Sequence, residues 1–433
     1  MRTLYFIPYL LFVLHSCSCA SENTSAMPDE PDISEPKREW KIENGRFYEN
    51  GKHKFLKIAK PLRNFADRGQ IDQLIAQLDV FKSKKYDVLS LNCYWHHFDT
   101  DGDGIPDKPV EPLARLVDAI YEKGMYPALS VETYSVGGGN MPAGFWHHHP
   151  DAYAINHRGE QVKDTEYGFN TAVVSIFHEG YRQRAHAFIK NLARAIDTDK
   201  IVYFETTVEP QYMGEVELCY SDAARAQYHA WLAENQLDVP ENRMPMQFPI
   251  PESFLHNAAW NKFRAQFLAK WVNEDAAAYR EVAGREAYIA VDFLDAHEST
   301  TRRRNGDPIE FLSHLSAPDI IQVNWHWDLI EKQPNHKAYN RVKQVNDTYG
   351  RNWAITEHMT FNGSDFTVYG DEQLEAILRN TLTQGTGFGW EFVNVANSSS
   401  DPFALYHDDW TPKRVVRVVD YQWDNWLKEV YGN

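Results

Sequence analysis

Cysteine is scarce in this chain of 433 residues, which has four, two of them within the first 19 positions. Cys93 and Cys219 are the two that remain for the rest of the chain. A disulfide framework is therefore excluded, although a single bond between these two is possible. Long apolar runs are also scarce. The first of them, Leu4–Leu14, is too short to span a bilayer comfortably, and no later segment is apolar enough to do so.

Positive charge is in short supply, since 61 acidic side chains outnumber 44 lysines and arginines and give a formal net charge of −17. A surface this acidic repels phosphate backbones, which argues against a nucleic-acid partner. Aromatic residues are abundant instead and make up 14% of the chain. Flat rings stack on the apolar faces of sugars and also fill large cores. Packing in the core explains most of them.

The first 38 residues have the composition of an export signal followed by a tether. Arg2 precedes the apolar run, which ends in the tetrapeptide LHSC at Cys17. This ending resembles the lipobox of bacterial lipoproteins, which implies a signal peptide over 1–17, lipidation of Cys17 and anchoring at the outer membrane or cell surface. Residues 18–38 are polar and contain proline, as a disordered tether would. An ordinary secretory signal, giving a periplasmic or secreted protein, is the alternative.

From residue 39 onward, short apolar runs alternate with longer segments of helical periodicity. The runs are rich in Val, Ile, Tyr and Phe without clean polar alternation, which is typical of strands buried on both faces. Eight alternations predict one α/β domain over 39–433, a (β/α)8 TIM barrel. The predicted strands are 53–61, 86–95, 125–134, 201–209, 286–296, 319–327, 352–359 and 387–394, and helices are predicted at 70–85, 109–124, 177–196, 371–385 and 411–432.

Two additions to the barrel are also predicted. Asn-Gly pairs at 44–45 and 50–51 are typical of tight hairpin turns. They predict a small β-hairpin before the first barrel strand. The long segment 213–283 has two helical stretches separated by a proline-rich break, which predicts an elaborated loop and helix after strand four.

The predicted barrel locates the binding site, because in such folds chemistry sits at the C-terminal ends of the strands. Acids, amides and aromatic rings collect at those positions. Glu132 and Glu391 are expected either to contact substrate or to form salt bridges. The predicted mouth residues are Arg63, Asn92, Tyr94, Trp95, Glu132, Glu209, Asp295, Asn324, His326, Glu357, Trp390 and Glu391.

Two carboxyl groups facing each other across the mouth would suit the cleavage of a glycosidic bond. One gives a proton to the leaving oxygen, and the other attacks the anomeric carbon or activates water. Glu209 ends the predicted fourth strand and Glu357 ends the predicted seventh. An acid/base on strand four and a nucleophile on strand seven resemble the arrangement of the clan A glycoside hydrolases.

The surroundings of Glu209 resemble the family 42 β-galactosidases more narrowly. The segment MPAGFWHHHPDAYAINHRGEQV, the helix before strand four and a cysteine-tyrosine segment leading to Trp231 follow that family's order. The chain is too short for the family's further domains, which suggests a smaller related family. The resemblance implies retaining hydrolysis of a β-galactoside-like oligo- or polysaccharide. It makes Glu209 the acid/base, Glu357 the nucleophile and Trp390 the floor of the sugar subsite.

One position departs from the family pattern. Clan members have asparagine immediately before the acid/base, where it binds the sugar 2-hydroxyl, and this chain has Val208. Asn324, Asn92 or His326 could supply that hydrogen bond instead. The departure leaves open a non-catalytic, glycan-binding surface lipoprotein as the alternative function. The alternative for Glu357 is a structural acid that pairs with Arg63.

Two groups of residues could bind metals. The segment DTDGDGIPD resembles the first half of a calcium loop, with Asp99, Asp101 and Asp103 in alternation and Asp107 in place of the usual distal glutamate. A solvated acidic turn is the alternative, and no cofactor is expected to be required for catalysis. Five histidines at 96–97 and 147–149 match no zinc spacing. A metal-dependent hydrolase would need several of them to converge.

Overall fold

The computed structural model describes most of the chain from residue 39 onward. The predicted signal peptide and tether, with Cys17, lie outside the described residues, and so do Asp295 and His326. The described residues are 39–134, 141–164, 171–213, 216–294, 298–324, 327–328, 333–334, 336–360 and 370–432.

Eight parallel strands close into a barrel in the order in which they occur in the chain. This confirms the predicted (β/α)8 TIM barrel and each of its eight strands. The barrel consists of β4, β5, β6, β9, β10, β11, β14 and β15. The strands of the described residues are β1 (Trp40–Glu43), β2 (Arg46–Glu49), β3 (Lys52–His53), β4 (Leu56–Lys60), β5 (Val88–Tyr94), β6 (Tyr126–Glu132), β7 (Lys163–Asp164), β8 (Thr171–Ala172), β9 (Phe204–Glu205), β10 (Ile289–Leu294), β11 (Ile320–Asn324), β12 (Trp327–Asp328), β13 (Gln333–Pro334), β14 (Ala354–Thr360) and β15 (Gly389–Val393).

Helices cover the outside of the barrel and elaborate its loops. The predicted helix 70–85 is divided at Gln77, and the segment after strand four contains two long helices, as predicted, with a short one between them. The helices are α1 (Arg68–Ala76), α2 (Leu78–Ser83), α3 (Trp95–Phe98), α4 (Glu111–Glu122), α5 (Phe145–His148), α6 (Glu179–Arg194), α7 (Asp222–Glu234), α8 (Glu252–Leu255), α9 (Ala258–Ala283), α10 (Glu298–Asn305), α11 (Pro308–His314), α12 (Lys337–Tyr349), α13 (Asp371–Gln384) and α14 (Arg414–Tyr431).

The segment before the barrel forms a three-stranded antiparallel sheet in place of the single predicted hairpin. Both Asn-Gly pairs make turns, with φ of +49° at Asn44 and +73° at Gly45 in the first. Positive φ at both central residues is what a tight hairpin turn between twisted strands requires. Phe47 of this sheet is buried against residues of the lower barrel, its ring centroid 5.6 Å from that of Tyr126.

The barrel interior has an apolar lower layer and a polar upper layer. Phe47 packs below a cluster that includes Ile58, Ala128, Ala290 and Ile320 from four barrel strands. Since the β-strand alternates its side chains between two faces, the next inward positions up the strands are Lys60, Ser130, Asp292 and Gln322, and all four are buried. The charge in the barrel therefore lies above an apolar floor.

Two further expectations bear on the export and redox chemistry of the chain. Cys93 and Cys219 are both buried and both free, so the disulfide that the sequence left possible is not formed. Among the described residues, none of the helices combines the length and the apolarity needed to span a membrane.

We expect Phe47→Ala to lower the free energy of unfolding by about 3–5 kcal/mol, because it removes the aromatic ring beneath the barrel floor and leaves a cavity. Chemical denaturation followed by circular dichroism measures this change. Tyr421→Ala is the matched control, since Tyr421 is 79% exposed and its truncation should cost about 0.5 kcal/mol or less. An equal loss of unfolding free energy for the two variants would contradict the conclusion that Phe47 of the N-terminal sheet stabilises the barrel.

Candidate active site

A buried ion pair lies at the centre of the upper barrel. Lys60 of β4 places its Nζ 2.6 Å from Oε2 of Glu205 on β9 and 3.4 Å from Oε1 of Glu391 on β15. The side chains of all three are almost completely buried. One lysine thus joins strands from opposite parts of the barrel, because its single charge is shared between two carboxylates.

His358 of β14 extends this network towards the other side of the barrel. Its Nδ1 lies 2.7 Å from Oε1 of Glu391 and 3.9 Å from Oδ2 of Asp292 on β10. Tyr203 donates a hydrogen bond to the second oxygen of Glu391 at 3.1 Å. Both carboxylate oxygens of Asp292 are buried without a hydrogen-bond partner among the described residues. Burial raises the pKa of Asp292 well above its usual range, and the nearby His358 opposes that effect.

The pKa of Glu391 is lowered in this network, and the pKa of His358 is raised. Burial acts against the charge of Glu391, but Lys60 and the hydrogen bond with His358 outweigh it and hold the pKa of Glu391 well below its usual range. Burial also acts against the charge of His358, yet Asp292 and Glu391 raise the pKa of that imidazole to about 9. The histidine is thus a cation at neutral pH.

Glu132, at the C-terminal end of β6, has the opposite character. Burial raises its pKa to about 8, with Glu205 and Glu209 adding to the effect and Lys60 opposing it. Asn92 donates a long 3.4 Å hydrogen bond to Oε1. Oε2 is buried and has no hydrogen-bond partner among the described residues. Glu132 is therefore mostly a neutral carboxylic acid at pH 7.

Glu209 lies above this network in the mouth of the barrel, where it is half-buried. Asn324 of β11 donates a hydrogen bond to its Oε1, and Gln211 donates one to its Oε2 at 3.1 Å. Arg304 of α10 in turn donates to Oε1 of Gln211 at 2.6 Å. This chain of donors fixes the carboxyl group, and amide donors of this kind stabilise a carboxylate.

The backbone at Glu209 is itself unusual. Its φ of +49° lies in the left-handed region, which costs a non-glycine residue about 1–2 kcal/mol. Asn305 donates to the carbonyl of Pro210 at 3.2 Å and holds the turn that follows. The surrounding structure thus maintains a strained residue in the bend that follows β9, as is frequent at functional sites.

The structure does not bring Glu357 to the mouth, contrary to the expectation from sequence. In β14, Ile355 and Met359 pack in the outer core, and Glu357 lies between them on the same face. Its carboxylate is fully buried and accepts a hydrogen bond of 2.6 Å from the hydroxyl of Tyr339 on α12. The inward residue at this level is His358. Glu357 therefore lies between the barrel and its helices.

Two predicted tryptophans are likewise in the wrong place for a sugar subsite. Trp390 lies on the outer face of β15, where it packs against Phe55, Trp423 and Trp426. Trp95 begins α3, is fully buried and donates its Nε1–H to Asp99 at 2.7 Å. Both rings fill the layer between strands and helices, so neither can form the floor of a sugar subsite.

Other predicted mouth residues do lie in the upper barrel. Tyr94 ends β5 beside Glu132, its register partner on β6, and is partly exposed. Asn92 and Asn324 are buried and donate to Glu132 and Glu209, while Val208 is buried. Glu391 belongs to the salt-bridge network.

Arg63 is half-buried just beyond β4 and donates to the carbonyl of Leu62. Burial lowers the pKa of the Arg63 guanidinium, and the nearby carboxylate of Asp401 partly opposes that effect. This position next to Asp401 leaves Arg63 at the edge of the mouth, beyond the ion-pair network.

Sequence reasoning missed Lys60, Asp292 and His358. The available signal was an ionisable residue inside an apolar strand, as in LKIAK, IAVDFL and AITEHMT. A charge in a strand buried on both faces requires a partner, because an isolated buried charge is strongly unfavourable. The identity of that partner depends on which strands face each other across the barrel.

The two candidate metal groups have different geometries. Ligand oxygens of Asp99, Asp101 and Asp107 lie within 4.8 Å of one another, and Asp103 is not part of that group. His149, Asp151 and His178 also converge. However, Nδ1 of His178 accepts the backbone N–H of Tyr181, so its Nε2 carries the proton and has no lone pair for zinc.

Part of the sequence is similar to a known protein family. The sequence profile of glycoside hydrolase family 42, described as beta-galactosidase, matches residues 109–242, a segment that includes β6, β9 and Glu209. The chain resembles a family 42 glycoside hydrolase. The matched segment covers less than half of the chain. No curated protein matches the chain significantly.

Solved structures share the fold of the chain. The β-galactosidase from Rahnella sp. R3 has a TM-score of 0.63 and 12% identity over 87% of this chain and 56% of its own. A catalytic mutant of a family 42 β-galactosidase from G. stearothermophilus gives 0.61 and 15% over 87% and 57%. The catalytic domain of the beta-amylase from Paenibacillus polymyxa gives 0.60 and 12% over 85% and 97%. The chain thus spans little more than half of these β-galactosidases.

We expect Lys60→Met to lower the free energy of unfolding by about 3–5 kcal/mol, because it leaves the buried carboxylate of Glu205 without its cation and Glu391 with His358 alone. Denaturant unfolding at pH 7 measures the change. Lys85→Met is the matched control: Lys85 is also 2.6 Å from its partner, Asp424, but the two side chains are 58% and 73% exposed. Its cost should be about 0–1 kcal/mol, and a similar cost for Lys60→Met would contradict the central role of the buried pair.

Proposed function

We propose that the protein hydrolyses β-glycosidic bonds in oligo- or polysaccharides, with a β-galactoside-like substrate. The single observation that carries the proposal is Glu209, a strained and hydrogen-bonded carboxyl group at the mouth of a barrel that resembles family 42. The resemblance implies a retaining reaction with Glu209 as the acid/base. The support for Glu209 is its strained backbone and the hydrogen bonds that it accepts from Asn324 and Gln211.

A second candidate function is glycan binding without hydrolysis. It is favoured by the position of Glu357, the nucleophile by sequence resemblance, because a carboxylate bound to Tyr339 in the outer core cannot reach a sugar in the mouth. Val208 in place of the expected asparagine favours it as well. In this case the carbohydrate in the gel would slow the migration of the protein in affinity electrophoresis. The protein would release no product from that carbohydrate.

The cellular location is proposed from the first residues of the sequence. Export through the signal peptide 1–17, lipidation of Cys17 and the tether 18–38 would hold the barrel at the outer membrane or cell surface. Such a position would give it access to carbohydrate outside the cell. Without lipidation the protein would be periplasmic or secreted.

We expect Glu209→Gln to lower kcat/KM on phenyl β-galactoside by about 10²–10⁴-fold, because it removes a carboxyl group that acts on the reacting bond. The melting temperature should change little. Release of phenol measures the rate, and thermal unfolding measures the stability. Full activity of Glu209→Gln would overturn the assignment of Glu209.

Glu357→Gln is the matched control, being the same substitution at a buried position on the outer face of β14. It should leave kcat/KM of the folded enzyme within a few-fold. It should lower the free energy of unfolding by about 1–3 kcal/mol, since it weakens the hydrogen bond to Tyr339. A loss of activity as large as that of Glu209→Gln, with unchanged stability, would restore the role implied by the resemblance.

A structural calcium ion is proposed at Asp99, Asp101 and Asp107, whose oxygens converge in the loop after β5. Millimolar Ca²⁺ should then raise the melting temperature relative to EDTA, because a ligand that binds the native state stabilises it. Asp101→Asn should remove the shift. Asp103→Asn should keep it, since Asp103 lies outside the group. An equal rise in melting temperature for Asp101→Asn and the wild type would contradict the binding of calcium by Asp101.

A further inference from the structure

We propose that Gln211 is a positioning residue for Glu209, and that the guanidinium of Arg304 acts on Glu209 through Gln211. The inference rests on the proposed hydrolase function, with Glu209 as the acid/base. It gives a role to the sequence TRRRNG, which places three consecutive arginines in the last turn of α10. Arg304 is the third of these arginines.

Gln211 joins two charged side chains through the two ends of its amide. Its Nε2 donates to Oε2 of Glu209 at 3.1 Å, and its Oε1 accepts a hydrogen bond of 2.6 Å from Nη1 of Arg304. Since an amide oxygen accepts and an amide nitrogen donates, the contact with Arg304 determines which end of the amide faces Glu209. Gln211 is completely buried, whereas Glu209 is half-buried in the mouth. The carboxyl group thus receives a donor of fixed orientation from the protein interior.

The hydrogen bond from Gln211 acts together with one from Asn324. Gln211 donates to Oε2 of Glu209 and Asn324 donates to Oε1, so each carboxyl oxygen accepts one amide N–H. The two donors belong to different elements, the bend after β9 and strand β11. They restrain the rotation of the carboxyl group, and each oxygen keeps a lone pair for the proton that is exchanged with substrate. A general acid needs this restraint, because proton transfer depends on reach and direction.

Backbone contacts bind the same bend to α10. The N–H of Tyr212 donates to the carbonyl of Arg304 at 2.8 Å, and Asn305 donates to the carbonyl of Pro210 at 3.2 Å. The residues on both sides of Gln211 are therefore attached to the turn of α10 that carries Arg304. Arg304 meets Gln211 as one of three contacts between the two segments.

Helix α9 in turn holds the end of α10. Arg264 of α9 is completely buried and donates to the carbonyl of Arg302 at 3.2 Å and to that of Arg303. Gly306 follows α10 with a φ of +74°, and a Cβ at this position would overlap the carbonyl oxygen of Asn261 on α9. This close approach of the two helices gives Arg304 a fixed base.

A purely structural role for Gln211 and Arg304 would have a different effect on activity. Substitutions would then lower stability and reduce the cleavage of every substrate by the same factor. A positioning role is selective, because it affects the cleavage of bonds whose leaving group needs the proton of Glu209. Phenol leaves with such a proton, and 2,4-dinitrophenolate leaves without one.

The experiment compares kcat/KM on phenyl and 2,4-dinitrophenyl β-galactosides, since kcat/KM reports the steps up to cleavage of the first bond. Gln211→Leu should lose about 10-fold or more on the phenyl substrate and less than about 3-fold on the dinitrophenyl substrate, because a hydrogen bond to a catalytic carboxyl group is lost. Glu209→Gln should show the same selectivity with a larger loss of phenol release.

Gln266→Leu is the matched control. Gln266 lies on α9, where its Nε2 donates to Oε2 of Glu310 at 3.1 Å and its Oε1 accepts from Trp231 at 2.8 Å. Its contacts therefore have the same pattern as those of Gln211, but they join α9 to α7 and α11. Gln266→Leu should change kcat/KM on both substrates by less than about 2-fold, because the lost hydrogen bond involves no reacting group.

A double-mutant cycle tests whether Arg304 acts through Gln211. Arg304→Met should lower kcat/KM on phenyl β-galactoside by about 3-fold or more, because Gln211 loses the donor that orients its amide, and by less than about 2-fold in the Gln211→Leu background. Arg304→Lys retains a cationic donor and should recover part of the loss. Equal losses from Arg304→Met in the two backgrounds would overturn the action of Arg304 through Gln211.

The pH profile provides an independent readout. Amide donors favour the charged form of a carboxyl group over its neutral form. Because Glu209 must hold its proton to act as the acid, Gln211→Leu should move the alkaline limb of kcat/KM on phenyl β-galactoside to higher pH. Gln266→Leu should leave that limb in place. An alkaline limb at the wild-type pH in Gln211→Leu would overturn the inference.

Failure of the inference and failure of the proposed function are distinguishable. A wild type that releases neither phenol nor dinitrophenol overturns the proposed function, and the inference with it. An active wild type with equal losses on the two substrates in folded Gln211→Leu overturns the inference alone. If Gln211→Leu does not fold, Arg304→Met at its half-buried position takes its place. Its loss on the phenyl substrate should exceed that on the dinitrophenyl substrate, and equal losses would again overturn the inference.

Discussion

The ion pair between Lys60 and Glu205 is the interaction on which the upper barrel depends. Both groups are fully buried, and removal of either would leave the other as an unpaired charge in a medium that solvates it poorly. The pair joins β4 to β9 across the barrel, and Glu391 and His358 extend it to β15 and β14. The strand ends that hold Glu132 and Glu209 are positioned on top of this network.

The same network determines which carboxyl groups are charged. Lys60 and His358 are two cations, and Glu205 and Glu391 lie in direct contact with them. Glu205 lies 2.6 Å from Lys60 and Glu391 lies 2.7 Å from His358, so each of these two carboxylates has a cation beside it. At Glu132, Lys60 opposes the effect of burial on the pKa, but burial is the larger effect.

Much of the fold was predictable from the sequence because it depends on local patterns. The eight apolar runs are each long enough and bounded clearly enough to be read as strands, and the two Asn-Gly pairs impose their own turns. Glu209 was also predictable, since a carboxylate followed by proline at the end of an apolar run marks a strand terminus. The placement of Glu357 was wrong because the strand end alone does not tell which face a residue occupies, and Glu357 shares the outer face with Ile355 and Met359. A shift of one residue along a strand exchanges its inner face for its outer face.

The sequence by itself determined the barrel class, the order of its strands and the position of Glu209 at one of their ends, because periodicity and turn chemistry act over a few residues. Only the tertiary structure decided that His358 faces the interior and Glu357 the helices, and that Trp390 fills the outer core. It also decided that Lys60, Glu205 and Glu391 meet, although they lie far apart in the chain. The physical reason is that closing eight strands into a barrel fixes which side chains face each other, and a buried charge then depends on the partners it meets there.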